Sequence, residues 1–235
     1  MGKNNNYSYN AQVEAEMRRH MADKKRKEEE RRVATKKALK ISLIVLAVIA
    51  ILVTAYLIWD SIPEVTYVEM KVKGYDTPVV ICVSEKYAKK TAQNFVSLVE
   101  RGFYDGLDFH RIKKGFMIQG GDDSHLPADQ QAKSIVGEFA SNGYKNDLKH
   151  TRGVISMARS NDPNSASSGF FICDATADWL DGDYAAFGYV VSGMETVDAI
   201  ADYAVGKTDS NYNLYSLYEK PTIEYIKILD NYEVK

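Results

Sequence analysis

Nineteen consecutive residues, Ile41 to Trp59 (ISLIVLAVIAILVTAYLIW), carry no charge, and only Ser42, Thr54 and Tyr56 among them are mildly polar. In a helix rising ~1.5 Å per residue, such a run nearly covers the ~30 Å hydrocarbon layer of a bilayer. Its apolar side chains fall on every face, which suits lipid better than the one-sided burial of a core helix. Lys36, Lys37 and Lys40 stand at one end, Tyr56 and Trp59 at the other, and Arg31 and Arg32 lie further upstream. Asp60 and Glu64 follow the run, so the charge bias keeps the N-terminus in the cytoplasm and exports what comes after. A cleaved signal peptide would have a shorter apolar region nearer the start and a small-x-small site after it. The expectation is therefore an uncleaved signal-anchor helix over residues 38–59.

Charge divides along the same line. Residues 1–40 hold 12 Lys/Arg against 6 Asp/Glu, a net of +6, while residues 41–235 hold 18 against 26, a net of −8. An acidic main portion argues against a nucleic-acid partner, because phosphate neutralisation needs clustered Lys/Arg. The tail, 1–37, is rich in helix formers, but Val13, Met17 and Met21 alone make an apolar stripe, too thin to pack a core. It reads as a solvated helix or a disordered cytoplasmic tail, with contact to anionic lipid headgroups as the functional alternative. Residues 60–63, around Ser61-Ile62-Pro63, read as a linker, and 64–235 as the folded domain.

Within that domain, Val65–Val72 alternates as a strand, Gly74-Tyr75-Asp76 marks a turn, and Val79–Val83 is a second strand. Ala88–Glu100 has a helical apolar period with Gly102 just beyond its end, and a second helix is expected at about Met194–Tyr203. Short apolar runs at 107–113, 116–120, 135–139, 153–158, 169–173, 186–191 and 222–229 complete about eight strands. The pattern suggests an antiparallel barrel with helices closing its ends.

The stretch from Phe109 to Asp122 (FHRIKKGFMIQGGD) reads as two extended pieces either side of Gly115. Strand alternation then points Phe109 and Arg111 one way and gives Met117 and Gln119 a shared face, so that the arginine, thioether, amide and nearby aromatics can converge on one concave patch. A guanidinium beside an apolar hollow suits carbonyl oxygens and an apolar ring.

That stretch, with Lys90–Phe95 (KTAQNF), Lys149–Ala158 (KHTRGVISMA), Phe170–Cys173 (FFIC), Trp179–Gly182 (WLDG) and Phe187-Gly188, resembles the cyclophilins in order and spacing over about 64–232. The resemblance implies a closed eight-stranded antiparallel β-barrel capped by two α-helices, and peptidyl-prolyl cis–trans isomerase activity. An X–Pro bond turns over a barrier of ~18–20 kcal/mol because amide resonance resists twisting. Catalysis then needs stabilisation of the twisted amide beyond that of the planar one, and no nucleophile, metal or cofactor.

By resemblance, Arg111 is the catalytic residue, holding the prolyl carbonyl and donating towards the imide nitrogen. Phe116, Met117, Phe171 and Leu180 enclose the pyrrolidine ring, and Gln119 binds backbone near Arg111. Ala158 and Arg159 contact the residue before proline through the backbone, and Trp179 matches the tryptophan associated with cyclosporin. Phe170 and Ile172, opposite Phe171 on their strand, are expected in the barrel interior. Phe109 and His110 are expected to be structural.

Three positions depart from the family. Gly169 replaces a glutamine that contacts substrate, Tyr184 replaces a histidine at the pocket rim, and Asp123–Val136 contains no glycine where the family loop is glycine-rich. Ser156 and Ser160 show no acid–His partner pattern, and His110, His125 and His150 have no metal-ligand spacing, which disfavours hydrolase and metalloenzyme chemistry. Cys82 and Cys173 read as two buried thiols rather than a disulfide. The segment bearing Tyr212, Tyr215 and Tyr218 is open between a packed loop and an exposed aromatic surface.

The expected protein is a monomeric, membrane-anchored isomerase acting on proline-containing unfolded or exported polypeptides at the outer face of the cell membrane. The alternatives are a proline-segment-binding chaperone or scaffold with little turnover, and a structural membrane protein whose basic tail recruits cytoplasmic partners.

Overall fold

The computed structural model describes residues 4–61, 64–230 and 232, with side chains placed from Glu14 to Ile58 and from Glu64 onward. Ile62 and Pro63 of the expected linker, the Trp59 side chain and the last three residues lie outside the described part. The chain separates into two compact units, residues 1–62 and 63–235.

The first unit is a single helix, α1 (Asn4–Ser61), so the tail is helical from Asn4 onward. In the charged part, Glu14 pairs with Arg18 at 3.8 Å and Glu30 with Arg26 at 3.7 Å. These one-turn ion pairs are exposed and add only tenths of a kcal/mol each. Beyond Lys40 the apolar side chains stand uncovered by protein, Ile44 64% and Ile51 65% exposed. Among the described residues, α1 is the one helix long and apolar enough to cross a membrane.

The second unit is built on eight strands: β1 (Val65–Val72), β2 (Val79–Ser84), β3 (Phe109–Lys113), β4 (Met117–Gly120), β5 (Val154–Met157), β6 (Phe170–Cys173), β7 (Ala186–Ser192) and β8 (Ile223–Ile228). Two helices accompany them, α2 (Lys89–Glu100) and α3 (Met194–Tyr203). The strands form one antiparallel sheet in the order β3-β4-β6-β5-β7-β2-β1-β8. The expected closed barrel is corrected here to a curled, half-barrel sheet. Its end strands β3 and β8 do not pair as a ladder. An isolated Asp108–Thr222 bridge ties that seam, with the Phe109 N–H donating to Pro221 O and the Ile223 N–H to Leu107 O, both at 2.8 Å. The run 135–139 is likewise not a strand; it makes one isolated bridge, Ile135 to Ala166.

Alternation along the strands sorts side chains between two hydrophobic clusters. Ile118, Phe170 and Ile172 enter the large core with Phe95, Phe109 and Phe187, while Met117, Phe171 and Cys173 join a small cluster on the other face. Phe170 meets Phe95, Tyr104 and Phe109 edge-on at ring separations of 5.6, 5.4 and 6.0 Å, the arrangement that aromatic quadrupoles favour. Tyr104 is fully buried, and its hydroxyl donates to Ser168 O at 3.0 Å. Burial pushes that phenol well above its ordinary range.

The start of α2 has no side-chain cap of its own. Its first amides are met instead by the buried Glu138 carboxylate, which accepts from the Lys90 N–H at 3.1 Å and from the Thr91 N–H and hydroxyl at 2.8 Å each. A carboxylate at a helix N-terminus satisfies orphan donors and complements the helix dipole. Gly193, at φ +84°, precedes α3 where a Cβ would strike the Pro78 carbonyl.

Candidate active site

One residue of β3 has no counterpart on β4. Phe109 pairs with Gly120 and Arg111 with Gln119, so His110 is an extra residue, a β-bulge. A bulge re-aims the side chains beyond it. Phe109 therefore goes into the large core while Arg111 turns to the opposite face, and the expectation that the two point the same way is corrected. Gly120 accommodates the bend, since a Cβ there would lie 2.8 Å from Asp108 O and 2.9 Å from the Phe109 ring.

Arg111 then overlooks a cavity of about 310 Å³ lined by Phe116, Met117, Gln119, Ala158, Arg159, Phe171, Leu180 and Tyr184 together with Arg111 itself. Every site residue expected from the sequence lines this hollow except Trp179. That residue is 61% exposed at the rim, its ring 5.3 Å from that of Phe116. Met117, Phe171 and Leu180 are buried and supply an apolar floor.

The two cations are held differently. Arg111 Nη1 donates to Gln119 Oε1 at 3.1 Å and Nε donates to Asn211 O at 3.0 Å, leaving Nη2 without a partner among the described residues. The Arg159 guanidinium is drawn to main chain, Nε donating to Asp183 O at 3.0 Å and Nη1 to Ser160 O at 2.9 Å, and it lies 4.6 Å from the centre of the Tyr184 ring. Tyr184 in turn meets Phe171 edge-on at 5.9 Å. Each guanidinium thus keeps Nη2 without a partner among the described residues; they differ in that Arg111 is anchored by the Gln119 side-chain amide, whereas Arg159 is held by main chain and lies against the Tyr184 ring.

Beneath the floor lies a connection that the sequence did not reveal. His150 stacks on Phe171 at 6.0 Å and 16°, its Nδ1 is 2.9 Å from Asp181 Oδ1, and its Nε2 is 3.0 Å from Ser156 Oγ. Ser156 thus has an acid–His partner after all. Ser156 is 0% and His150 1% exposed, however, so no substrate reaches the hydroxyl and the chain of hydrogen bonds supports the floor. Burial pushes His150 below its ordinary value against the opposing pull of Asp181, leaving it neutral near pH 7. Burial also raises Asp181, but the hydrogen bonds from His150 and Lys149 outweigh it and hold that carboxyl low. The ionised Asp181 then assigns the ring proton to Nδ1, and Nε2 accepts from Ser156.

Comparison with known proteins decides the family. The model of the family described as "Cyclophilin type peptidyl-prolyl cis-trans isomerase/CLD" matches residues 67–230. The chain belongs to the cyclophilins. It is 35% identical over 168 residues to a peptidyl-prolyl cis-trans isomerase of Acinetobacter baylyi, covering 69% of this chain and 84% of that one. It is 42% identical over 130 residues to a peptidyl-prolyl cis-trans isomerase-like 1 protein of Rhizopus delemar, covering 55% and 75%. Its fold is similar to a crystal structure of a Cryptosporidium parvum cyclophilin, with TM-score 0.59, 25% identity, and coverage of 72% of this chain and 99% of that one. The same parasite protein in the presence of the dipeptide Ala-Pro gives TM-score 0.57, 26% identity and coverage of 70% and 99%. This cyclophilin is a peptidyl-prolyl cis-trans isomerase.

Its three departures have a structural setting. A Cβ at Gly169 would lie 3.5 Å from that of Ala158, in ordinary contact with a residue that lines the hollow. Asp123, in the glycine-free loop, is buried and accepts the Ala132 N–H at 2.7 Å, which closes the loop on itself. Tyr184 sits on Arg159, as above. Cys82 and Cys173 are free and buried, and burial, with Asp181 nearby, pushes the Cys173 thiol up to about 12.

Proposed function

We propose that this cyclophilin twists X–Pro bonds of exported polypeptides at the outer face of a membrane, with Arg111 as the catalytic group and α1 as its anchor. The observation that carries the reading is the unspent Arg111 donor, poised beside an apolar floor. A pyrrolidine ring on Phe116, Met117, Phe171 and Leu180 would set the prolyl carbonyl and imide nitrogen within reach of Arg111. The twisted amide has a pyramidal, basic nitrogen that accepts a hydrogen bond, whereas the planar one does not. A donor aimed there stabilises the transition state selectively.

Gln119 holds Arg111 on one side. Ala158 and Arg159 meet the residue before proline; the Ala158 N–H already donates to Gly169 O at 2.9 Å, so the contact falls to its carbonyl. Trp179, projecting from the rim, meets the flanking chain or cyclosporin.

The domain order supporting this role is a cytoplasmic tail 1–37, a span 38–59, a linker expected at 60–63 whose first two residues, Asp60 and Ser61, instead end α1, and the isomerase domain 64–235, working as a monomer. Two measurements test it. Chemical-shift mapping of an Ala-Pro peptide on the full chain in detergent micelles should move Phe116, Met117, Gln119, Phe171 and Trp179; shifts confined to another surface would overturn the site. Protease added to intact cells should digest residues 64–235; full protection would place the domain in the cytoplasm and overturn the location.

A further inference from the structure

The edge of β3 facing away from β4 is covered by the chain between α3 and β8. There the Ile112 N–H donates to Tyr212 O at 2.8 Å, the Leu214 N–H donates to His110 O at 2.9 Å, and Asn213 is the bridge partner of Arg111. Asp209 holds this loop shut. Its Oδ1 accepts the N–H groups of Asn211 at 2.8 Å and Asn213 at 2.9 Å, and its Oδ2 accepts Asn213 Nδ2 at 3.1 Å. The loop presents the Asn211 carbonyl to Arg111 Nε.

Tyr212, at φ +68°, is the one non-glycine residue in the left-handed region among those described. That conformation disfavours a bulky side chain, and strain of this kind persists where the surroundings over-determine it. Its ring sits 4.3 Å from Lys113 Nζ and 5.9 Å from Arg111 Cζ. The segment left open by the sequence is, at Tyr212, a packed loop against the catalytic strand. None of residues 209–213 lines the hollow.

We propose that residues 209–213 are a positioning device for Arg111: Asn211 O fixes the guanidinium plane opposite Gln119, and the Tyr212 ring shields its outer side. The inference rests on Arg111 being the catalytic donor. A planar guanidinium anchored at Nη1 alone can swing, whereas a second anchor at Nε leaves Nη2 with one direction. The loop therefore sets turnover and leaves substrate affinity alone.

The test measures kcat and KM on an Ala-Pro peptide by exchange NMR, together with solvent exchange of the Arg111 side-chain Nε–H, using the full chain in detergent micelles. Asp209→Ala should lower kcat on the order of tenfold with KM little changed, and should speed Nε–H exchange by a similar factor. Asp209→Asn, which keeps one oxygen for both amides, should restore most of each. Tyr212→Gly relieves the backbone strain and keeps the fold, yet should lower kcat, which keeps the test decisive if Asp209→Ala unfolds. Unchanged kcat and Nε–H exchange in these variants, with Arg111→Ala inactive, would overturn the role of the loop alone. A wild type that leaves the exchange rate unchanged would overturn the assignment of Arg111 beneath it.

Discussion

Arg111 and Gln119 are register partners across the β3–β4 ladder, and the same pair is joined at 3.1 Å by a side-chain hydrogen bond from Nη1 to Oε1. Backbone pairing thus fixes where the guanidinium starts and the amide fixes where it ends. Gln119→Leu removes the acceptor while keeping the volume. Steady-state kinetics on an Ala-Pro peptide should show kcat falling on the order of tenfold, ~1.4 kcal/mol of barrier, with KM changed less.

His150 and His110 are both held below their ordinary values by burial. A histidine with a lowered folded pKa binds protons more readily when unfolded, so its stabilisation is complete above the unfolded value of about 6.5 and is lost as pH falls below it. Asp181, held low, extends the loss below pH 4 in the same direction. Urea titrations should therefore show stability flat from pH 8 to 7 and declining from about pH 6.5 downward. His150→Gln should be less stable at pH 8 but show a shallower decline between pH 6.5 and 5.

Glu138 accepts three hydrogen bonds from the first turn of α2 with 7% of its surface exposed. Glu138→Ala strands two amides and a hydroxyl in a buried site, a loss of about 2–4 kcal/mol in chemical denaturation. Glu138→Gln, which keeps one acceptor oxygen, should lose about half of that. Equal stability of all three proteins would remove the cap from the account.

The elements that follow from local pattern are legible in the residues themselves. The nineteen-residue uncharged run lies within α1, the spacing of Ala92, Phe95 and Val99 marks α2, and period-two alternation places Phe171 opposite Phe170 and Ile172. Features that depend on a distant partner are not legible in this way. The bulge at His110 arises from how β3 registers on β4, and so reverses the face that alternation assigns to Arg111. Glu138 caps a helix that starts 49 residues earlier, and His150, Ser156 and Asp181 meet only because β5 packs beside the turn after β6. Whether the end strands close a barrel depends on pairing of β3 with β8, more than a hundred residues apart, which neither strand announces by itself.

The central claim is that one positive fork over an apolar floor lowers the barrier to turning an X–Pro bond. Exchange NMR on an Ala-Pro peptide, comparing the full-length wild type with Arg111→Ala and Arg111→Lys, tests it most directly. The account predicts that wild type accelerates exchange, that Arg111→Ala loses on the order of 10²–10³-fold, and that Lys, a point charge without the planar fork, recovers little. Exchange catalysed equally well by wild type and Arg111→Ala would contradict it.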